Sequence, residues 1–209
     1  MNVSSALSTA SRPLPRPAAG SLTKGWVAFL RAALSNPRAV GAVLPSSPEL
    51  GKRMAELSTA GGAEDFIELG AGTGSITEAL LLHGIHPRRL VVVERDPSLA
   101  EVLRSRFPGL RVVCGDAAEL RRAVPRSLLR RGFGAVVSSL PLRSLPHDTV
   151  RGIVGEIGSV LHPGGRWVQY TYALADLRAP AGFHRIASTV VWKNVPPARI
   201  DVLARRGSP

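Results

Sequence analysis

The stretch Phe66-Ile67-Glu68-Leu69-Gly70-Ala71-Gly72-Thr73-Gly74-Ser75-Ile76-Thr77 carries more information than any other part of the chain. A hydrophobic strand ends there in three alternating glycines, and a helix then begins. Glycines permit a tight turn and remove the Cβ atoms that would hold a ligand away from the backbone. The helix start at Ser75 adds N–H groups without helical partners. The stretch therefore predicts a nucleotide-binding loop between a parallel strand and its helix.

A carboxylate follows this loop at a distance that suits a ribose acceptor. Glu94 ends the next predicted strand, 24 residues after Gly70, where it can accept hydrogen bonds from both ribose hydroxyls. A dinucleotide site would require G-x-G-x-x-G, but counting from Gly70 or Gly72 places Ser75 or Thr77 where the third glycine belongs. The spacing therefore disfavours NAD.

Strands and helices alternate on both sides of the loop. Hydrophobic periodicity predicts strands over 65–69, 89–94, 110–114, 133–137 and 166–172, with helices over 75–83, 97–106, 119–124 and 150–161 between them. The last two predicted strands, 183–191 and 198–204, are separated by six residues, which is too short for a helical crossover. We predict an α/β, Rossmann-like fold whose mostly parallel sheet ends in an antiparallel hairpin.

The pattern E-x-G-x-G-x-G, an acidic second strand and Gly115-Asp116-Ala117 after the third resemble the S-adenosylmethionine signature of class I methyltransferases. The resemblance implies that Gly70, Gly72 and Gly74 lie under the methionine moiety, that Glu94 holds the ribose and that Asp116 faces the adenine. It implies S-adenosylhomocysteine as product. The implied cofactor set is completed by Glu68, Ser75, Arg95, Ala117 and Ser138.

Three segments are expected along the chain. Residues 1–22 form a tail rich in Ser, Pro and Arg that we expect to be disordered. Residues 23–62 are predicted to form two helices, and the first of them is amphipathic. Its apolar stripe includes Trp26, and a cationic row beside the stripe is formed by Lys24, Arg31 and Arg38. This helix either meets a membrane or packs its stripe on the core, and both alternatives are kept. Residues 63–209 form the methyltransferase core.

Composition limits the partners. The 209 residues are 44% hydrophobic, enough for one domain, and 27 Lys+Arg against 15 Asp+Glu give a net charge of +12. Such a charge favours nucleic acid or an anionic membrane surface. One cysteine excludes an intramolecular disulfide, and no zinc-ligand spacing occurs. The sequence contains no run of eighteen apolar residues, so no segment is predicted to span a bilayer.

The segment after the fourth predicted strand bears on the methyl acceptor. Base-amino methylases, including ribosomal RNA adenine dimethyltransferases, typically have Asn or Asp, Pro and an aromatic ring there, whereas this chain has Ser138-Ser139-Leu140-Pro141-Leu142. Neither the carbonyl that would hold a base amine nor the stacking ring is present. The segment therefore disfavours a nucleic acid substrate, although the basic charge keeps a ribosomal RNA adenine methylase as the alternative.

Several short motifs, in order along the chain, resemble bacterial phospholipid N-methyltransferases. They are Phe29-Leu30-Arg31, Asn36-Pro37, Gly41-Ala42-Val43, Pro45-Ser46-Ser47, Ser139-Leu140-Pro141-Leu142, Val168-Gln169-Tyr170-Thr171-Tyr172 and Asn194-Val195-Pro196-Pro197-Ala198. The resemblance implies stepwise methylation of phosphatidylethanolamine toward phosphatidylcholine. It also implies a cytoplasmic enzyme, peripheral on the inner membrane, and we expect a monomer. A noncatalytic, S-adenosylmethionine-sensing membrane protein on the same fold is a further hypothesis.

Two tyrosines are the main candidates for the acceptor site. Tyr170 and Tyr172 are two apart near the carboxyl end of a predicted strand, so they share a face and can cage a methylated ammonium through cation–π attraction. The alternative is ordinary sheet packing. The Ser139 to Leu140 backbone is expected to orient the nitrogen, and Lys24, Trp26, Arg31 and Arg38 to contact lipid phosphates and headgroups.

Overall fold

The computed structural model of the protein describes residues 46–174 and 178–206. The expected tail over 1–22 and the cationic helix, with Lys24, Trp26, Arg31 and Arg38, lie outside the described residues.

The described chain alternates strands and helices as the periodicity predicts. In order, the elements are α1 (Pro48–Thr59), β1 (Phe66–Leu69), α2 (Ser75–Leu82), β2 (Leu90–Glu94), α3 (Pro97–Arg106), β3 (Arg111–Cys114), α4 (Leu120–Ala123), α5 (Arg126–Leu129), β4 (Phe133–Ser138), α6 (His147–Val160), β5 (Leu161–Thr171), β6 (Phe183–Val191) and β7 (Ala198–Arg205). Short 3₁₀ turns cover Pro87–Arg89, Ala117–Glu119 and Leu142–Ser144.

One sheet carries all seven of these strands, in the order β3-β2-β1-β4-β5-β7-β6. β1 pairs in parallel with both β2 and β4, so the strand order reverses at β1. Ligands of open α/β sheets bind beyond the carboxyl ends of the strands at such a reversal. The fold therefore directs attention to the edge where β1, β2, β4 and β5 end, which we call the carboxyl edge.

The predicted antiparallel hairpin is confirmed, and its inner strand is β7. β7 pairs with β5 from Arg166 opposite Ala204 to Thr171 opposite Arg199, and β6 pairs with the outer side of β7. After β5 the chain therefore forms the outer strand β6 first, and it then turns back to form β7 between β5 and β6. Because β7 begins opposite the end of β5, the loop between β6 and β7 lies at the carboxyl edge.

Helices cover both faces of the sheet. Leu50 and Met54 of α1 belong to one apolar cluster with α2, α3 and Val168. Ile153 and Ile157 of α6 belong to a second cluster on the opposite face. Alternate residues of each strand therefore serve opposite layers of the core, as period-2 strands require.

Two elements differ from the sequence prediction. β5 starts at Leu161 and not at residue 166, because Leu161 pairs with Phe133 before the register shifts and pairing resumes at Arg166. The predicted stop at Pro163-Gly164-Gly165 is an irregularity within the strand. The short helix α5 was not predicted, since four residues after Pro125 are too few to show a period.

Candidate active site

The glycine-rich loop joins β1 to α2 at the carboxyl edge. Gly70, Gly72 and Gly74 all have positive φ angles, of 72°, 57° and 85°, which favour glycine. A Cβ on Gly70 would lie 2.6 Å from Leu140 Cδ2, and one on Gly74 would lie 2.6 Å from Phe107 Cε2. Packing within the protein therefore adds to the turn geometry as a reason for glycine at two of the three positions.

Glu94 connects this loop to the end of β2. Its Oε2 accepts a hydrogen bond from the Gly72 N–H at 2.8 Å, and its Oε1 accepts one from the Asp96 N–H at 3.0 Å. The side chain is largely buried. A carboxylate offers about four lone-pair sites, so two acceptor positions remain for ribose hydroxyls. The geometry fits the predicted ribose acceptor and adds a second role, which is to hold the loop.

Asp116 follows β3 at the same edge. Its Oδ1 accepts from the Ala118 N–H at 2.8 Å, and its Oδ2 lies 3.7 Å from Nη1 of Arg95. The next residue, Ala117, is buried. The carboxylate is half-exposed, so it is anchored on one side and open toward solvent on the other. This position is compatible with the adenine contact that the resemblance implies.

Glu68 is fully buried in β1. Its Oε2 accepts from the Thr77 hydroxyl at 2.7 Å, while its Oε1 has no hydrogen-bond partner among the described residues. Burial is the main cause that raises the pKa of Glu68 to about 8. The carboxyl therefore keeps its proton near neutral pH. Thr77, on the first helical turn after the loop, was not singled out from the sequence.

The segment after β4 is fixed to strands on both sides. The Ser139 N–H donates to the Leu69 carbonyl at 3.0 Å. Gln169 Nε2 donates to the carbonyls of Leu140 at 3.0 Å and of Tyr170 at 2.7 Å. Ser138, buried at the end of β4, accepts the Leu140 N–H at 3.4 Å. Ser139 and Leu140 thus lie between the glycine loop and β5. Gln169 positions Leu140, and this role had no indication in the sequence.

The two tyrosines lie together at the end of β5. Their ring centroids are 5.6 Å apart and their planes are inclined by 75°, an edge-to-face pair. Tyr170 is almost buried and Tyr172 is half-buried. Burial raises the pKa of both hydroxyls. Both rings therefore stay neutral at physiological pH, so they can attract a cation but do not supply a phenolate base.

A cavity of about 490 Å³ adjoins the tyrosine pair beside β5 and β7. Apolar side chains form much of its wall, and cationic ones complete it. The lining of the cavity includes Ser139, Leu140, Leu142, Arg143, Trp167, Gln169, Tyr170, Tyr172, Arg178, Arg185, Arg199 and Asp201. Sequence reasoning identified the tyrosines, Ser139 and Leu140 but none of these arginines.

The arginines of the cavity fall into two groups. Asp201 lies 3.1 Å from Arg185 Nε and 3.0 Å from Arg199 Nη2, so these two guanidinium groups contact a buried carboxylate. Arg143 and Arg178 are exposed, and neither forms an ion pair within the part of the chain that the structure describes. Arg143 and Arg178 are therefore available to an anionic ligand.

This sheet order, with a glycine-rich loop after β1 and an acid ending β2, defines a class I methyltransferase with S-adenosylmethionine as methyl donor. The "Methyltransferase domain" family matches residues 66–165. Ornithine lipid N-methyltransferase of Singulisphaera acidiphila is 35% identical over 153 residues, which cover 71% of this chain and 78% of that protein. The chain belongs to the same family as this lipid N-methyltransferase.

Solved structures agree on the fold. A Burkholderia thailandensis 1,6-didemethyltoxoflavin-N1-methyltransferase, solved with S-adenosylhomocysteine, is 16% identical in sequence and superposes with a TM-score of 0.60. The match covers 95% of this chain and 94% of the Burkholderia protein. TrmN from Thermus thermophilus is 21% identical with a TM-score of 0.59, over 81% of this chain. The match spans about half of TrmN, 52% of its length. The comparisons give no support to the ribosomal RNA adenine alternative.

Within the described residues, 46–174 and 178–206, two kinds of feature are absent. No helix there is long and apolar enough to cross a membrane. No group of three or more His, Cys, Asp and Glu side chains is arranged there to hold a metal ion.

Proposed function

We propose that the protein methylates the amine of phosphatidylethanolamine and of its mono- and dimethyl forms, toward phosphatidylcholine. The observation that carries the proposal is a cavity whose lining includes the tyrosine pair at the carboxyl edge and two exposed arginines, Arg143 and Arg178. An aromatic pair suits an ammonium group, and arginines suit the phosphate two carbons away from it. Membership of a lipid N-methyltransferase family supports an amine-bearing lipid as acceptor.

The chemistry asks the chain mainly for positioning. S-adenosylmethionine, when bound, supplies an electrophilic methyl group on a sulfonium sulfur. The lipid ammonium first loses a proton to water, and the lone pair that this exposes forms the new C–N bond while the C–S bond of the sulfonium breaks and S-adenosylhomocysteine leaves. The methylated ammonium loses a proton in the same way before the next transfer, and the third transfer leaves a quaternary ammonium. Tyr170, Tyr172 and the backbone at Ser139 and Leu140 orient the nitrogen in this proposal.

Tyrosine rings suit a stepwise reaction. Cation–π attraction, worth about 0.5–2 kcal/mol, does not depend on N–H donors, so it persists as methyl groups replace hydrogens. A carboxylate cage would lose hydrogen bonds at each step. The edge-to-face arrangement of Tyr170 and Tyr172 presents two π systems close to each other.

An ornithine lipid is the second candidate acceptor, because the relative that shares 35% identity carries that name. The ornithine headgroup has an amine and a carboxylate, where phosphatidylethanolamine has an amine and a phosphate. Either anion can pair with Arg143 or Arg178, since a guanidinium forks equally well onto carboxylate and phosphate oxygens. The two candidates differ in the spacing between amine and anion.

The proposal places the protein at an anionic membrane surface. The net charge of +12 supports attraction to such a surface, at about 1 kcal/mol for each Lys or Arg near it. In this proposal the residues Lys24, Trp26, Arg31 and Arg38 contact lipid phosphates and headgroups. We propose a monomer, peripheral on the cytoplasmic face of the membrane.

One experiment tests the acceptor. Purified protein is incubated with methyl-labelled S-adenosylmethionine and either vesicles that contain phosphatidylethanolamine, vesicles that contain ornithine lipid, or ribosomal RNA. We expect label in phosphatidylethanolamine products, with vesicles of phosphatidylglycerol, which has no amine, as the control. Label in ornithine lipid alone would show that ornithine lipid, and not phosphatidylethanolamine, is the substrate. Label in RNA would overturn the proposal. S-Adenosylmethionine binding without label in any fraction would indicate a sensor.

A further inference from the structure

The loop between β6 and β7 exposes two apolar side chains at the carboxyl edge. This loop, Trp192 to Pro197, is called the hairpin tip below. The side chain of Trp192 is 70% exposed and that of Val195 is 86% exposed. Leu174, which follows β5, is also exposed, and its carbonyl accepts from Arg199 Nη1 at 3.3 Å, so it lies beside the start of β7. Apolar surface is thus concentrated next to the tyrosine pair.

The hairpin tip is held from within. Asn194, between the two exposed residues, is only 2% exposed. Its Oδ1 accepts from the Ser47 N–H at 3.0 Å, at the start of α1, and its Nδ2 donates to the Pro196 carbonyl at 2.6 Å. A buried amide with partners on both sides fixes the loop on the core. Trp192 and Val195 are therefore displayed on a supported loop.

We propose that the hairpin tip is a membrane contact, in which Trp192 and Val195 enter the headgroup region of a lipid bilayer. The inference rests on the proposed lipid substrate and names the surface by which the enzyme meets it. A tryptophan combines a large apolar ring with an N–H donor, and it is enriched at membrane–water interfaces for that reason. The ring and the valine together give the apolar part of an interfacial anchor.

Charge around the hairpin tip fits an anionic lipid surface. Lys193 is exposed between Trp192 and Asn194, and the exposed Arg143 and Arg178 line the cavity at the same edge. Glu49, in the first turn of α1, is an exposed carboxylate on this side. These four described residues, three cations and one carboxylate, give a basic balance that is complementary to anionic headgroups.

The contact would orient the active site. Tyr172 and the cavity lie at the same edge as the hairpin tip, so insertion of the tip turns the cavity mouth toward the bilayer. A lipid amine then reaches the tyrosine pair while its acyl chains stay in the membrane. No acyl chain has to be extracted into water, which would cost about 0.8 kcal/mol for each CH₂ group.

Tryptophan quenching by brominated phospholipids tests the insertion directly. The Trp26→Phe variant is compared with the Trp26→Phe, Trp192→Phe double variant, and the difference between their emission spectra reports on Trp192. We expect this difference to shift to the blue and to be quenched in vesicles of brominated lipid with phosphatidylglycerol. An unquenched Trp192 in protein that floats with the vesicles would overturn the proposal.

A second comparison measures the contribution of the hairpin tip to binding. Trp192→Ser combined with Val195→Ser should lower vesicle partitioning about tenfold or more, since two apolar side chains no longer leave water. Leu82→Ser is the matched control, because Leu82 is 75% exposed at the far end of α2 and should change partitioning less than twofold. Equal partitioning of the tip variant and wild type would contradict the proposal, provided that both keep the same S-adenosylmethionine affinity.

Other occupants of the hairpin tip give different results. If residues 1–45 cover it, Trp192 emission shifts to the red on their deletion and is not quenched in the full chain. If a second copy covers it, sedimentation shows a dimer that Trp192→Ser dissociates. Each result would overturn the membrane assignment. Absence of methylated lipid with the wild-type enzyme would instead refute the proposed function, and it leaves the quenching result intact.

Discussion

Two halves of the carboxyl edge are built in different ways. The cofactor half, where β1 to β3 end, is mostly backbone: glycines with positive φ angles, and N–H groups bound by Glu94 and Asp116. The acceptor half, where β4 and β5 end beside β7, is made of side chains, with Tyr170, Tyr172 and the cavity arginines foremost. A backbone site tolerates little change in sequence, whereas a side-chain site can change its acceptor and keep its fold.

The largest effect is expected at Glu94, on the cofactor half. Glu94→Ala removes the ribose acceptor and leaves the N–H groups of Gly72 and Asp96 without their partner. We expect S-adenosylmethionine affinity to fall at least about 100-fold, or about 3 kcal/mol, by calorimetry. Glu101→Ala, which removes an exposed carboxylate of α3, is the control. A dissociation constant within twofold of wild type would mean that the ribose is held elsewhere.

The cofactor half could be predicted from sequence because its parts are local. One strand, three glycines and an acid at the end of the next strand specify the loop and its ribose acceptor. The acceptor half depends on contacts between distant segments. Gln169 reaches the Leu140 carbonyl because β5 pairs with β4, and Asn194 reaches Ser47 because the loop between β6 and β7 lies beside the start of α1. Both contacts join residues that are far apart in the sequence, so hydrophobic periodicity gave no signal for these partners.

Two glycine variants separate packing from turn geometry in the cofactor half. Gly74 and Gly84 both have positive φ angles, but a Cβ on Gly74 would meet Phe107 at 2.6 Å, whereas one on Gly84 has no neighbour within 4 Å. Gly74→Ala should therefore lower the free energy of unfolding by about 1–3 kcal/mol more than Gly84→Ala. Urea denaturation measures the difference. Equal losses would show that backbone strain alone requires glycine at Gly74.

The buried carboxyl of Glu68 makes the stability depend on pH. Its pKa is about 8 in the folded protein and 4.5 as the ordinary value, so between these pH values the unfolded chain has lost a proton that the folded chain retains. The free energy of unfolding should therefore fall as pH rises from about 4.5 to 8, by roughly 2 kcal/mol or more. Glu68→Gln should remove this fall. If the urea midpoints of wild type and Glu68→Gln change with pH in the same way over this range, the fall in stability does not come from Glu68.

A smaller effect is expected on the acceptor half at Arg178. This exposed guanidinium lines the cavity, and Arg178→Gln should raise the KM for the lipid about threefold to tenfold with S-adenosylmethionine affinity unchanged. Arg130→Gln makes the same change of net charge on an exposed residue after α5, outside the cavity. If both variants raise KM equally, general attraction to the membrane accounts for the effect, and Arg178 has no part in headgroup recognition.

The central claim is that the tyrosine pair serves the acceptor and the glycine loop serves the cofactor. The most direct measurement is turnover on lipid vesicles together with S-adenosylmethionine affinity for Tyr172→Ala and Tyr170→Ala, each beside its Phe counterpart. We predict that the Ala variants lose at least about tenfold in turnover, that the Phe variants keep most of it because the ring remains, and that all four bind S-adenosylmethionine within twofold of wild type. Wild-type turnover in the Ala variants would contradict the claim and remove both tyrosines from the site.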